Sequence, residues 1–289
     1  AALIWTALSV LPASAADKVV LMLNWYVYGE HAPFYYGKAK GIYAAEGIDL
    51  EIQEGRGSAA TTQAVAAKTA NFGYVDVPTM MRAAVKGAPI VATGVLLQTS
   101  PMSAMGFVEK NIKKPEDIKG KTVAITPADS MTQIWPLFLK KTGLKESDFQ
   151  TVAGDGQTKL NAVINGQADL LLGYVMDQSM KIKDATGKDV NAIKFADYGI
   201  NMVCSGVVAN TEFVKANADL VKRFMSATTK AVEAAEKDPK AAAQSILDAN
   251  PKGGKIETLT KGFELTIPLY RTAETKSKRP FQVTEQNMT

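Results

Sequence analysis

Flat side chains crowd one short segment of the sequence, the aromatic segment (residues 24–36), which reads N-W-Y-V-Y-G-E-H-A-P-F-Y-Y. Ring faces stack on planar ligands and add about 0.5–1.5 kcal/mol per contact beyond the area they bury. We therefore predict that Trp25 and Tyr28 flank a flat ligand, and that His31, the only histidine of the chain, donates or accepts a hydrogen bond in its plane. Core packing is the alternative for Trp25 and for His31.

A second candidate loop reads Glu54-Gly55-Arg56-Gly57-Ser58, between a predicted strand and a predicted helix. Glycines permit close backbone approach, and a helix N-terminus gathers unpaired N–H donors. Arg56 offers a charged fork suited to a carboxylate, a phosphate or a polyol. The alternative is a tight turn that carries a solvated arginine.

Three further loops place polar side chains directly after predicted strands. Asp76 either reaches into a cleft or caps the helix that follows it. The same two possibilities hold for the hydroxyls and carboxylate of the segment around residue 129. Tyr174 could stack from an opposite wall, with an acceptor for a ring N–H beside it. The candidates from these last two loops are Thr126, Asp129, Ser130, Tyr174, Asp177 and Gln178.

The chemistry that the sequence lacks is also informative. One histidine and one cysteine, Cys204, cannot build the usual nitrogen and sulfur metal site. No carboxylate pair, nucleophile–base set or phosphate-binding Walker motif is present. The sequence therefore predicts no catalytic residue, no metal and no cofactor, and it favours a binding protein over an enzyme.

The elements that must position these loops alternate between β and α patterns. Short apolar and β-branched runs predict strands, and periodic apolar positions that end at glycine predict helices. The predicted strands cover residues 18–23, 48–52, 71–75, 90–97, 121–125, 148–152, 169–172 and 203–209. The predicted helices cover residues 31–46, 58–70, 78–86, 130–142, 158–165, 214–237, 239–249 and 256–271.

Strands that alternate with helices indicate parallel sheets in an α/β protein. Because the β-α-β-α-β pattern occurs twice, we predict two lobes. Ligands of open α/β sheets bind at the carboxyl ends of the strands. The candidate loops would therefore line a cleft between the lobes.

Composition narrows the class of protein. The chain has 289 residues, 46% of them hydrophobic and 21% charged, which suffices for a real core. The net charge of +4 comes from interspersed charges, so nucleic acid is not an expected partner. Residues 1–16 resemble the remnant of a secretory signal, with an apolar core and an A-x-A cleavage pattern at residues 13–15. With no cysteine near that site to carry a lipid, we expect an exported, periplasmic protein; a buried first helix is the alternative.

Several motifs together resemble one family. They are L-N-W, H-A-P-F-Y-Y-G-K-A-K-G-I-Y-A-A-E-G-I-D-L-E-I, G-R-G-S, N-F-G-Y-V-D, K-P-E-D-I-K-G-K-T-V-A-I-T and N-G-Q-A-D-L-L-L-G-Y-V-M-D-Q. They are similar to the SsuA/THI5-like (NMT1) substrate-binding proteins. The resemblance implies a type II periplasmic binding protein fold, with residues 17–103 and 204–289 in the first lobe and residues 104–203 in the second. Crossovers between the lobes are expected near residues 102–108 and 202–208.

The resemblance also implies a function. Members serve ABC importers, so the expected partners are a small molecule and a membrane permease, and the expected state is a monomer. The opening motif is most similar to the branch that binds thiamin pyrimidine precursors or riboflavin. In that branch Trp25 would stack on the ligand beside Asn24 and His31, while Gly57 and Ser58 would receive a polar tail.

Two alternatives to that ligand class stay open. One is a sulfonate, taurine or nitrate-type anion, for which Arg56 would be the cation. The other is a pyrimidine synthase, against which the absence of the synthases' cysteine-rich motif argues. Family members usually continue into further helix beyond the position of Thr289, so we expect a truncated C-terminus.

Overall fold

The structure is a computed structural model that describes residues 15–284. The predicted export signal lies almost wholly outside the described residues. Among the helices of residues 15–284, none has the length and apolar character needed to span a membrane.

Ten strands and eleven α-helices make up the described part of the chain. The strands are β1 Asp17–Met22, β2 Ile48–Gln53, β3 Phe72–Asp76, β4 Ile90–Val95, β5 Met102–Phe107, β6 Thr122–Ile125, β7 Gln150–Ala153, β8 Leu170–Tyr174, β9 Val190–Lys194 and β10 Ser205–Asn210. The helices are α1 Ala32–Ala39, α2 Ile42–Ala45, α3 Ser58–Ala66, α4 Val77–Val85, α5 Ser130–Thr142, α6 Gly156–Ile164, α7 Gln178–Thr186, α8 Thr211–Ala216, α9 Ala218–Lys237, α10 Pro239–Ala249 and α11 Ile256–Thr266.

The strands form two five-stranded sheets, and each sheet with its helices is one lobe. The first lobe has the strand order β2-β1-β3-β10-β4, and the second has β7-β6-β8-β5-β9. The chain passes to the second lobe between β4 and β5 and returns between β9 and β10. The predicted lobe boundary after residue 103 falls inside β5, and the one after residue 203 falls just before β10; both boundaries stay predictions.

The prediction of purely parallel sheets is wrong for one strand in each sheet. β10 runs antiparallel to β3 and β4, and β5 runs antiparallel to β8 and β9. Both strands enter their sheet from the other lobe. Neighbouring parallel strands are usually joined by a helix that packs on the same sheet. No such helix precedes β5 or β10, because the chain reaches each of them from the other lobe.

Other departures from the predicted elements are local. The strand β9 and the helix α7 were not predicted. The long helix expected over residues 214–237 is divided at Asn217 into α8 and α9. Ser58 is the first residue of α3, and Gly57 at φ 119° is the N-cap. Glycine suits that backbone conformation, which L side chains rarely adopt.

Stacked rings fix the helices to the sheets. In the first lobe Phe72 of β3 stacks on Phe224 of α9, with centroids 3.9 Å apart and planes 8° apart. In the second lobe Phe138 of α5 stacks on Phe195 at 4.3 Å. Each buried ring contributes about 1.5–3 kcal/mol through its removal from water. This packing holds the loops at the ends of the strands in place.

Candidate functional site

A cavity of about 370 Å³, partly open to solvent, lies between the two lobes. Its walls come from the residues after β1, the start of α3, the start of α5, the first turns of α6 and the segment that joins β8 to α7. The residues that line it are Asn24, Trp25, Tyr28, Gly57, Ser58, Asp129, Ser130, Met131, Lys159, Gly173, Tyr174, Asp177 and Gln178. Ten of these are predicted candidates.

Backbone hydrogen bonds hold Trp25 in place just after the end of β1. Its carbonyl oxygen accepts from Gly55 N–H at 3.1 Å, and the carbonyl oxygen of Asn24 accepts from Gly57 N–H at 2.8 Å. A side chain at position 55 would come within 1.8 Å of the carbonyl oxygen of Leu23, so only glycine fits there. The loop of residues 54–58 therefore anchors Trp25, whose side chain is half-buried and lines the cavity.

His31 lies beneath the cavity and does not line it. It is fully buried, and its Nε2 is 2.8 Å from Asn24 Oδ1. Burial, assisted by the positive charge of Lys181, lowers the pKa of His31 to about 3, so the ring is neutral near pH 7. When Nε2–H donates to the amide oxygen, the amide N–H₂ of Asn24 is left for the cavity.

A buried carboxylate holds the aromatic wall from behind. Tyr28 O–H and Tyr74 O–H both donate to the Glu30 carboxylate, the second at 2.6 Å from Oε1. The ring of His31 packs edge-on against Tyr28, with centroids 4.4 Å apart. Burial raises the pKa of Glu30, and the tyrosine hydrogen bonds oppose that rise. Glu30 was not among the predicted site residues, because its role is to fix Tyr28 rather than to reach the cavity.

The second lobe contributes a buried ion pair that sequence reasoning missed. Lys159 Nζ lies 3.2 Å from Asp129 Oδ2, and both side chains are at least nine-tenths buried. Asp129 also caps α5 through Thr132 N–H at 2.7 Å. The ammonium lies 5.5 Å from the ring centroid of Trp25, within cation–π range. A lysine at the start of a helix that follows a strand end was the available signal.

Asp177 is the other buried acid of the second lobe. Its Oδ2 accepts from Tyr26 O–H at 2.8 Å, and its Oδ1 lies 3.7 Å from Lys181 Nζ. Burial raises the pKa of Asp177, and the charge of Lys181 offsets part of that rise. Gln178 Oε1 accepts from Tyr174 N–H at 2.7 Å, which fixes the segment that carries both side chains.

Three side chains from both lobes meet behind the cavity. Tyr174 O–H lies 3.0 Å from Cys204 Sγ, and the thiol donates to Asp76 Oδ2 at 3.2 Å. Asp76 also accepts from Thr79 N–H at 3.0 Å, so it caps α4, which was one of its two predicted roles. Burial raises the pKa of Asp76 and of Cys204.

Four predicted candidates do not line the cavity. His31, Asp76 and Thr126 are buried behind its walls, and Arg56 is exposed at its rim. Met131, Lys159 and Gly173 line it without having been predicted. Within residues 15–284, no group of three or more histidine, cysteine, aspartate or glutamate residues is arranged to hold a metal ion.

Two α/β lobes connected by two chain passages, with a cavity between them lined by strand-to-helix loops, are the features of the periplasmic binding protein fold. The alkanesulfonate-binding protein SsuA from Xanthomonas axonopodis pv. citri, solved with bound MOPS, aligns with a TM-score of 0.72 over 95% of this chain and 90% of its own, at 14% identity. This likeness confirms the predicted two-lobed fold. A family model described as NMT1/THI5 like matches residues 29–242, and the chain belongs to that family.

The curated relatives that resemble this chain include proteins with two kinds of name. A 4-amino-5-hydroxymethyl-2-methylpyrimidine phosphate synthase from Legionella pneumophila is 25% identical over 260 residues, which cover 89% of this chain and 81% of the relative. The riboflavin-binding protein RibY from Chloroflexus aurantiacus is 24% identical over 216 residues, which cover 73% of this chain and 60% of the relative.

Proposed function

We propose that this protein is an exported, periplasmic solute-binding protein of an ABC importer, and that its ligand is a flat heteroaromatic nutrient of the thiamin-pyrimidine or flavin class. The carrying observation is that Trp25 and Asp177, from opposite lobes, line the same cavity. A tryptophan face stacks on a planar ring, and a buried carboxylate accepts hydrogen bonds from ring or amino N–H groups. Closure around the ligand would create the shape that a permease recognises.

Charge argues against the anion alternative. Arg56, the cation expected for a sulfonate or nitrate, is exposed outside the cavity wall. Lys159 does face the cavity, but Asp129 already pairs with it. A buried anionic ligand needs a compensating charge, and the described walls contribute none in excess. A neutral or weakly basic ring fits these walls better.

Hydrogen bonding and the names of the relatives bear on which heterocycle is bound. The names of the curated relatives support both ligands, so both belong in the test. An aminopyrimidine carries an amino group whose N–H can donate a hydrogen bond to the Asp177 carboxylate.

Tryptophan fluorescence can test the proposal directly. The purified protein is titrated with 4-amino-5-hydroxymethyl-2-methylpyrimidine, riboflavin, an alkanesulfonate and nitrate. We expect saturable binding of one heterocycle, and a dissociation constant raised about five- to 150-fold in Trp25→Ala, since base–aromatic stacking is worth roughly 1–3 kcal/mol. Isothermal titration calorimetry supplies the constant for the variant, which has lost its reporter.

Trp135→Phe is the matched control. Trp135 is buried among the rings of the second lobe, where it stacks on Phe138 at 5.1 Å, and it does not line the cavity. Its substitution should leave the affinity unchanged. An unchanged constant in Trp25→Ala, or tight binding of the sulfonate or nitrate alone, would contradict the proposal.

A synthase activity is the second candidate, because relatives with that name match most of the chain. We propose that this chain does not share it. The only histidine is buried, neutral and engaged with Asn24, which leaves it unfit as an accessible base or nucleophile. Mass spectrometry of purified protein incubated with candidate substrates would detect a pyrimidine product, and multiple turnovers would refute this reading.

A further inference from the structure

Tyr26 joins the two lobes directly. It follows β1 of the first lobe, and its hydroxyl bonds to two side chains at the start of α7 in the second lobe. Its hydroxyl donates to Asp177 Oδ2 at 2.8 Å and accepts from Gln178 Nε2 at 3.2 Å. The ammonium of Lys181 lies 3.4 Å from the centroid of its ring. A side chain of one lobe is therefore held on several sides by the other.

Gly156, the first residue of α6 in the second lobe, lies against Trp25 and Tyr26. A Cβ atom at position 156 would lie 2.5 Å from the ring of Trp25 and 3.0 Å from the ring of Tyr26. Gly156 is not among the residues with positive φ, so its backbone conformation does not demand glycine. Glycine is required at position 156 because two rings of the opposite lobe leave no room for a Cβ atom.

We propose that Gly156 and Tyr26 are positioning residues that fix how far the lobes close, and with that the width of the gap beside Trp25. Gly156 lets the two rings approach the second lobe, and the hydroxyl of Tyr26 holds them there. The effect on ligand affinity rests on the proposed function, whereas the effect on lobe closure does not depend on any ligand.

Affinity should follow closure through a population shift. When only a fraction of the free protein has the binding-competent shape, the apparent dissociation constant rises by the inverse of that fraction. Direct contacts between the lobes, such as those of Tyr26, raise this fraction. The loss of the Tyr26 hydroxyl removes two hydrogen bonds, one of them to a carboxylate, and should weaken binding roughly tenfold.

The first measurement is small-angle X-ray scattering of the ligand-free protein. We expect Gly156→Ala to increase the radius of gyration, because the added methyl group holds the lobes apart. Gln157→Ala is the matched control, since Gln157 is exposed on the same turn of α6 and bonds only to Asn161 of its own helix. The double variant Trp25→Ala/Gly156→Ala should expand less than Gly156→Ala, because the nearer ring is gone and the 3.0 Å contact with Tyr26 remains.

The second measurement is the affinity of the same proteins for 4-amino-5-hydroxymethyl-2-methylpyrimidine and riboflavin. We expect weaker binding in Gly156→Ala and Tyr26→Phe, and none of this loss in Gln157→Ala. If no heterocycle binds the wild type, the proposed function fails while the scattering result still decides this inference. If a heterocycle binds but Gly156→Ala leaves the radius of gyration unchanged, the inference fails, whether or not the affinity falls.

Tyr26→Phe keeps the inference testable if Gly156→Ala misfolds. It adds no atom and keeps the ring under Lys181. If Gly156→Ala does not fold, an unchanged radius of gyration and affinity in Tyr26→Phe would overturn the inference, and an expansion with weaker binding would support it.

Discussion

The two walls of the cleft are built on different principles. The first-lobe wall is aromatic, with Trp25 and Tyr28 at the surface and Glu30 and His31 buried beneath them. The second-lobe wall is charged, with the Asp129–Lys159 pair and Asp177 facing the cavity. In the first wall the titratable groups lie behind the rings, and the polar side chains that reach the cavity, Asn24 and Ser58, are uncharged. In the second the polar groups are themselves the surface.

This difference separates two tasks. A ring wall selects a ligand by shape, and it works only when the rings are held rigidly from behind. A charged wall selects by hydrogen bonding, and it is tolerable inside the protein only when each charge has a partner. Substitutions should therefore affect the two walls in different ways.

The largest effect is expected in the charged wall. Lys159→Met removes the partner of Asp129 and leaves a carboxylate buried without its counter-charge. We expect the free energy of unfolding to fall by about 3–5 kcal/mol, measured by urea denaturation. The double variant Asp129→Asn/Lys159→Met should recover a large part of that loss. A single variant as stable as the wild type would show that the pair is not buried as described.

A smaller loss of stability is expected behind the aromatic wall. Glu30→Ala deprives the buried hydroxyls of Tyr28 and Tyr74 of their acceptor, which should lower the free energy of unfolding by about 2–3 kcal/mol. Glu30→Gln keeps an acceptor oxygen and should lose less. Equal stability of the two variants would indicate that packing, and not hydrogen bonding, supports this wall.

The pH dependence of stability should reveal His31. Its pKa is lowered from 6.5 to about 3 in the folded protein, so the unfolded chain binds the proton first as the pH falls. The stability contributed by the neutral ring is complete above pH 6.5 and declines toward pH 3, by up to about 1.4 kcal/mol per pH unit. Glu30 and Asp177, whose pKa values are raised, act in the opposite direction at acidic pH.

His31→Gln isolates this contribution. The difference in unfolding free energy between wild type and variant should shrink as the pH is lowered from 7 to 4. Chemical denaturation across that range measures it, and a difference independent of pH would mean that the ring does not stay neutral in the folded state.

The smallest effect is expected at the rim. Arg56 is exposed, and Arg56→Gln should change the affinity for a heterocycle by less than about twofold. A large loss of affinity in this variant, tested by calorimetry, would restore the anion alternative and would place a functional charge outside both walls.

The sequence was most informative where local chemistry and topology agree. Trp25 follows β1, Tyr174 ends β8 and Asp129 caps α5, and strand ends of an α/β sheet meet at a ligand site. Lys159 was missed because its place near the start of a helix after a strand end does not by itself distinguish a buried ion pair from a solvated lysine. Its partner, Asp129, is 30 residues away along the chain.

The apolar runs alone did not predict the directions of β5 and β10, although the family resemblance placed the lobe crossovers near both strands. An apolar run indicates a strand, but it does not reveal from which lobe the chain arrives. Likewise, the pattern around His31 indicated a special residue, but whether it faces the cavity or supports Asn24 depends on the packing of several elements. Local sequence determines which residues are candidates, and the arrangement of the lobes determines which surface they face.

The chain's single thiol has a practical consequence. Cys204 is buried beside Tyr174 and Asp76, where burial and the neighbouring carboxylate raise its pKa, so little reactive thiolate forms in the native state. Alkylating reagents should therefore modify it only when the molecule opens. The rate at which Cys204 is labelled would therefore report how often the buried thiol becomes exposed. A cysteine introduced at the surface could carry a dye while Cys204 stays unlabelled.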